Sequence, residues 1–250
     1  MNNISENKNG LILHSNLTIE ELDRIIRESS SIKNIGIRID LLSRHFLGVE
    51  YRESTLIGSI NKSETFVINL NGVDCLTFIE YVEAMRLSNT FSEFEKNLKR
   101  VRYHNGVCSF ENRNHFFTDW SEYNSGLVED VTAIIGGARA LSIPKRLNLK
   151  KDETYFIHGI DHKNREIKYI PADTIDGLIM DGLKTGDYAG VYSEEDGLDV
   201  SHVGIIIKIG DRVYLRHASS AASNRKVIDE ECKGYITQKP GIVVLRPKGI

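Results

Sequence analysis

The hydrophobic period of this chain is mainly helical in the first hundred residues and strand-like in the last hundred. That switch constrains the fold more than any other feature of the sequence. Thr18 followed by Glu21 is a capping box, and Leu22, Ile25 and Ile26 then share one helical face. A second amphipathic run carries Ile35, Ile39, Leu42 and Phe46 and stops by Gly48. Thr65 to Leu70 reads as a buried strand, Asn71-Gly72 as a turn, and Leu76, Ile79 and Val82 as a helix running to about Leu87. Phe94, Leu98 and Val101 predict one more short helix. Beyond residue 150 the expected elements are strands: Tyr155–Ile160, Arg165–Ile170, Asp187–Tyr192, His202–Ile209, Arg212–Arg216 and Gly241–Leu245. Helices first and hairpin-linked strands later predict an α+β fold with an antiparallel sheet. No repeat and no Pro/Ser linker interrupts the chain, so residues 17–250 are expected to form one domain behind a flexible tail at 1–16.

Composition removes several function classes. Lys plus Arg is 32 against 35 Asp plus Glu, for a net charge of −3, so no basic field exists to hold nucleic acid. No apolar run approaches the ~18 residues of a membrane span. Leu11-Ile12-Leu13 is shorter than a signal-peptide core of ~7–15 residues, so no signal peptide is read and the location is left open. Three widely spaced cysteines, Cys75, Cys108 and Cys232, do not suggest a disulfide framework and direct attention to a single reactive thiol.

Cys75 has the context such a thiol needs. It follows a strand, a turn and Asp74, and it opens a helix. With Asp74 as N-cap, Cys75 lies in the first turn, where unpaired N–H groups and the positive end of the helix dipole favour a thiolate. The same N–H groups suit a tetrahedral oxyanion. Cys108 and Cys232 sit among polar residues and receive no role. A nucleophilic thiol also needs a base and a group that orients it. Ser201 to Ile207 and Arg212 to Ser219 read as the two strands of a hairpin turning at Gly210-Asp211. With that loop Ile209 faces Arg212, Gly204 faces His217, and His202 faces Ser219. His202 and His217 are then diagonal neighbours on one face, and a one-residue slip would separate them.

In this order, the motifs resemble a family. Asp74-Cys75-Leu76-Thr77, Leu183-Lys184-Thr185-Gly186-Asp187, Ser201-His202-Val203-Gly204-Ile205 and His217-Ala218-Ser219 are similar to the NlpC-type papain-like cysteine peptidases and amidases. Leu47-Gly48-Val49-Glu50-Tyr51 resembles that family's Gly-x-x-Tyr approach to the nucleophile. Arg113 to Trp120 and Tyr169-Ile170-Pro171 resemble, more narrowly, its N-acetylmuramoyl-L-alanine amidase-like branch, over roughly residues 40–247. The resemblance implies a papain-like fold with Cys75 as nucleophile, His202 as base and His217 as third member, Ser219 being the alternative. It implies Tyr51 beside the oxyanion, no cofactor and no metal, and a peptidoglycan or muropeptide substrate. The expected bond joins N-acetylmuramic acid to L-alanine. The alternatives are a stem-peptide endopeptidase, acyl transfer, or an inactive cell-wall-binding domain.

Two further groups have two readings each. Arg113, Asn114, His115 and Trp120 form either a packed loop or a substrate wall, with Trp120 stacking on a sugar. His158 and His162 are four apart, but their flanks read as strands joined by a turn at Asp161–Asn164, which disfavours a metal pair. Oligomeric state is not readable from the sequence.

Overall fold

The computed structural model describes residues 4–8 and 11–249. The first half runs β1 (Ile4–Lys8), β2 (Leu11–Ser15), α1 (Ile19–Ser30), α2 (Ile35–Arg44), β3 (Glu50–Tyr51), β4 (Ile57–Ser59), β5 (Lys62–Asn69), β6 (Gly72–Val73), α3 (Cys75–Arg86) and α4 (Phe91–Arg102). The second half runs α5 (Phe117–Tyr123), β7 (Val128–Asp130), α6 (Thr132–Gly136), β8 (Leu141–Leu147), β9 (Lys163–Pro171), α7 (Gly177–Gly182), β10 (Tyr188–Tyr192), β11 (Val200–Ile209), β12 (Arg212–Ala218), β13 (Val227–Glu231), α8 (Cys232–Ile236) and β14 (Gly241–Pro247). The fold is α+β. Its contacts divide the chain into two compact units. Unit 1 extends to Asn114 and takes in Arg216–Asp229; unit 2 takes in His115–Leu215 and the chain from Glu230.

Unit 1 carries the helices. The Glu21 N–H donates to Thr18 Oγ1 at 3.1 Å and the Thr18 N–H to Glu21 Oε2 at 2.8 Å, so the capping box forms and starts α1. Asn34 caps α2 in the same way through the Ile37 N–H. α3 is buried all round from Thr77 to Arg86, as a helix at the centre of a core must be. Phe46 packs against it, edge-on to Phe78 and stacked on Tyr81, and Tyr81 reaches Phe94 of α4. The strands are ordered β1-β2-β5-β4, and β2 runs parallel to β5 with Leu13 opposite Ile68. Residues 11–15, expected as flexible tail, are therefore a strand, and Leu13 is buried in the core. A second short parallel pair, β3 with β6, places Tyr51 opposite Val73. Parallel pairing joins segments far apart in sequence, so it leaves no hairpin signal for a sequence reading to find.

The late segment of unit 1 is tied in by Arg216. Its guanidinium donates to both carboxylate oxygens of Asp229, to Asp40 and to Ser43 Oγ. The Ser219 N–H donates to the Lys226 carbonyl, and Val227 exchanges backbone bonds with Gly48 and Val49.

Unit 2 is built on antiparallel pairs in the order β12-β11-β10-β14-β9-β8, with β7 added on β14. The β11–β12 loop is Gly210-Asp211, as the sequence predicts, with Gly210 at φ +58°. Ile170, Ala189, Ile206, Leu215 and Val244 lie in its apolar core. One expected strand is absent. Tyr155–Ile160 is a loop, and the partner of β9 is β8, with Ile143 opposite Ile167. The Asn148 side chain donates to the carbonyls of Ile157 and Ile160 and accepts from the Ile157 N–H. One side chain thus satisfies backbone groups that a strand ladder would otherwise pair.

Candidate active site

The candidate centre in unit 1 is the start of α3. The Thr77 N–H donates to Asp74 Oδ1 at 2.8 Å, and the Asp74 N–H donates back to Thr77 Oγ1 at 3.0 Å. This capping box fixes Cys75 as the first helical residue, half-buried at the positive end of the helix. Burial pushes the Asp74 carboxyl up, while its bonds to Thr77 and the charge of Arg102 pull the other way. Arg102 is itself buried, paired with Glu80 at 2.6 Å and donating to the Val67 carbonyl.

Tyr51 lies beside this helix start. The Arg52 N–H donates to the Val73 carbonyl at 3.0 Å, so β3 runs alongside the two residues that precede Asp74. Burial pushes the Tyr51 phenol up to about 12, and the nearby Cys75, Glu53 and Asp74 add to that. The phenol is therefore a neutral O–H donor at any ordinary pH, which is the form an oxyanion requires. The Arg225 guanidinium stands over the Tyr51 ring at 5.2 Å and opposes the rise. Unit 1 thus brings Tyr51, Asp74, Cys75 and Arg225 together. Arg225 was missed in the sequence, because an exposed loop cation 150 residues from Cys75 carries no pattern.

His217 and Ser219, the two candidates for third member, lie on the unit 1 side of the chain's passage through β12, and both are buried. His202 belongs to unit 2. It is half-buried on β11, opposite Val191, with its ring centroid 6.5 Å from that of Tyr235.

The Arg113–Trp120 block is used for packing. Arg113 makes a two-bond ion pair with Glu64, at 2.8 and 2.6 Å, and Tyr103 donates to the same carboxylate. Asn114 is buried and donates to the Val101 carbonyl. His115 is half-buried in the turn before α5. Trp120 is fully buried, stacked on Phe117 and edge-on to Tyr188. It has no free face for a sugar, which corrects the stacking role expected of it: a large flat ring gains more from core burial than from half-exposure. Asp119 in turn is held by Lys163 and Arg165.

The other candidates are simpler. His158 and His162 are exposed loop residues. Among the described residues no group of three or more His, Cys, Asp or Glu could hold a metal ion, and no helix is long and apolar enough to cross a membrane. Cys232 is fully buried, and burial with the nearby Glu231 pushes its thiol up to about 12.

Comparison with known proteins decides the family. A family described as AmiA-like, N-acetylmuramoyl-L-alanine amidase-like, matches residues 41–242, most of the chain. The chain belongs to that amidase-like family. Solved structures share the fold, one of them under the same amidase name. An N-acetylmuramoyl-L-alanine amidase from Bacteroides uniformis is 25% identical, with a TM-score of 0.68 over 87% of this chain and 100% of that one. A Legionella pneumophila protein shares the fold of this amidase-like chain at 23% identity, with a TM-score of 0.78 over 92% and 94%. A Bacteroides fragilis protein with a provisional xylanase label is 28% identical, with a TM-score of 0.65 over 82% and 98%. No curated protein matches the sequence.

Proposed function

We propose that this amidase-like chain is a cysteine hydrolase that cuts an amide bond of peptidoglycan, the one joining the lactyl group of N-acetylmuramic acid to L-alanine, on a papain-like, NlpC-type fold. The observation that carries the reading is Cys75 at the first position of a capped helix, with a neutral tyrosine hydroxyl beside it. His202 takes the thiol proton and Cys75 Sγ attacks the carbonyl carbon. The oxyanion is held by the N–H groups of the first turn of α3 and by the Tyr51 hydroxyl. His202 then returns the proton to the leaving amine, and the C–N bond breaks to leave a thioester. Water attacks the thioester with His202 as base, and the carboxylic acid and the free thiol are released. His217 orients the His202 ring. No step calls on a cofactor.

Product masses from a defined N-acetylmuramoyl peptide test the reading. Release of N-acetylmuramic acid with an intact peptide is the expected result. Cleavage inside the peptide would make the chain a stem-peptide endopeptidase of the same fold. A binding domain with a dead site would give no product, and its Cys75 would react with iodoacetamide no faster than Cys108.

A further inference from the structure

The surface beside Cys75 carries a cation that the hydrolytic steps do not use. Arg225 is exposed, and its guanidinium makes no hydrogen bond or ion pair among the described residues. Its backbone is held from several sides. The Arg225 N–H donates to the Ala221 carbonyl at 3.0 Å, and its own carbonyl accepts from the Tyr51 N–H at 2.9 Å. The loop is closed by Ser219 N–H to Lys226 and by the bridge between Glu50 and Lys226. Within that frame Arg225 sits at φ +41°, a conformation an arginine adopts only when its surroundings impose it. The guanidinium stands over the Tyr51 ring at 5.2 Å, and Tyr51 is paired with Val73, two residues before Cys75.

We propose that Arg225 forms a carboxylate-binding subsite beside Cys75, and that it selects peptide substrates with a free α-carboxylate near the scissile bond. The reasons are chemical. A guanidinium offers paired donors in the plane a carboxylate presents, and that of Arg225 is exposed over the Tyr51 ring. Lys226 adds a second exposed cation. The opposing acids are Glu53 and Asp74, which both act on Tyr51, and Glu50, which is already paired with Arg52; Asp74 is engaged by Thr77. The subsite rests on Cys75 being the nucleophile. In a stem peptide the second residue carries a free α-carboxylate when it is isoglutamate and loses that charge when it is isoglutamine. The proposal is that the enzyme distinguishes these two.

The test is kcat/KM on two N-acetylmuramoyl-L-alanyl peptides that differ only in that group. The wild type should favour the carboxylate by about tenfold, the size of one partly solvated charge-assisted contact. Arg225→Asn, a neutral residue that accepts positive φ, should abolish the preference by lowering only the carboxylate substrate. Arg225→Lys should keep part of it. Equal loss on both peptides would overturn the subsite and assign Arg225 to the nucleophile's environment, as would a wild type with no preference. Calorimetric binding of both peptides to Cys75→Ala separates this from the hydrolytic reading. Preferential binding without wild-type turnover keeps the subsite and removes the amidase; equal binding removes the subsite.

Discussion

The start of α3 and the block from Arg113 to Trp120 are both rich in polar and aromatic side chains, and they use them in opposite ways. At the helix start, Asp74 and Thr77 satisfy each other locally, and the thiol of Cys75 is left half-buried at its end. In the block, three of the candidate groups are tied to residues outside it: Arg113 to Glu64, Asn114 to Val101 and Trp120 to the ring of Tyr188. A local motif can fold on its own bonds and place one side chain at its end. A block whose charged groups point inward has to pair them, since an unpaired buried charge costs more than about 1–3 kcal/mol. Here Arg113 is paired, while Asn114 Oδ1 and Trp120 Nε1 are buried without a hydrogen-bond partner among the described residues. The lesson is that polar density in a sequence marks a site only where the local structure satisfies its own backbone.

That contrast can be broken experimentally. The largest effect belongs to Cys75→Ala, which should remove hydrolysis below detection while shifting Tm by no more than a few degrees. The substitution deletes the proposed nucleophile and one small side chain at a helix start. Activity retained in Cys75→Ala and lost in Cys108→Ala would transfer the nucleophile. Next comes His202→Ala, expected to lower kcat by about 10²–10⁴-fold, the usual contribution of general acid–base catalysis. His217→Asn should cost less than His217→Ala, because an amide can still orient an imidazole. The reverse order would move that role to Ser219.

The block should respond in stability and not in specificity. Trp120→Ala is expected to cost about 3–5 kcal/mol by chemical denaturation, as for other buried aromatic truncations. Trp120→Phe should fold and keep the wild-type KM. A raised KM in folded Trp120→Phe, seen only with sugar-bearing substrates, would restore the substrate wall. The smallest effect is a pH slope. Asp199 is buried, accepting from the Thr118 N–H and hydroxyl, and burial raises its carboxyl above the ordinary 3.8. The folded state therefore holds a proton that the unfolded state has released. Stability should fall as pH rises from about 3.8 to the folded value and then level off. Asp199→Asn should flatten that part of the curve; an unchanged slope would place the proton elsewhere.

What the sequence made legible was local. The capping boxes at Thr18 and Asp74, the helix face of Leu22 and Ile26, and the Gly210-Asp211 loop each lie within a few residues, and all are present. What was hidden depends on distance. β2 is only Leu11–Ser15, and it is a strand because β5, some 55 residues later, runs parallel to it. β8 contains Pro144 and has little alternation, the pattern of an edge strand rather than a central one. Glu64 pairs with an arginine 49 residues away, so nothing around Arg113 announced that its charge was already neutralised. Arg225 was hidden for the same reason: only folding brings it to Tyr51.

Arg216 has a consequence for how the molecule is made. It joins unit 1 through Asp40, 176 residues earlier, and it belongs to a segment that follows the long stretch His115–Leu215. A ribosome delivers that stretch in between. Helices α1 to α4 can therefore assemble early in synthesis, but the carboxylate of Asp40 meets its guanidinium only after residue 216 has emerged. Closing so large a loop adds entropy cost and delays the final contacts of unit 1. Until then the nascent chain holds an incomplete unit, and that interval is when chaperones and proteases have most to act on.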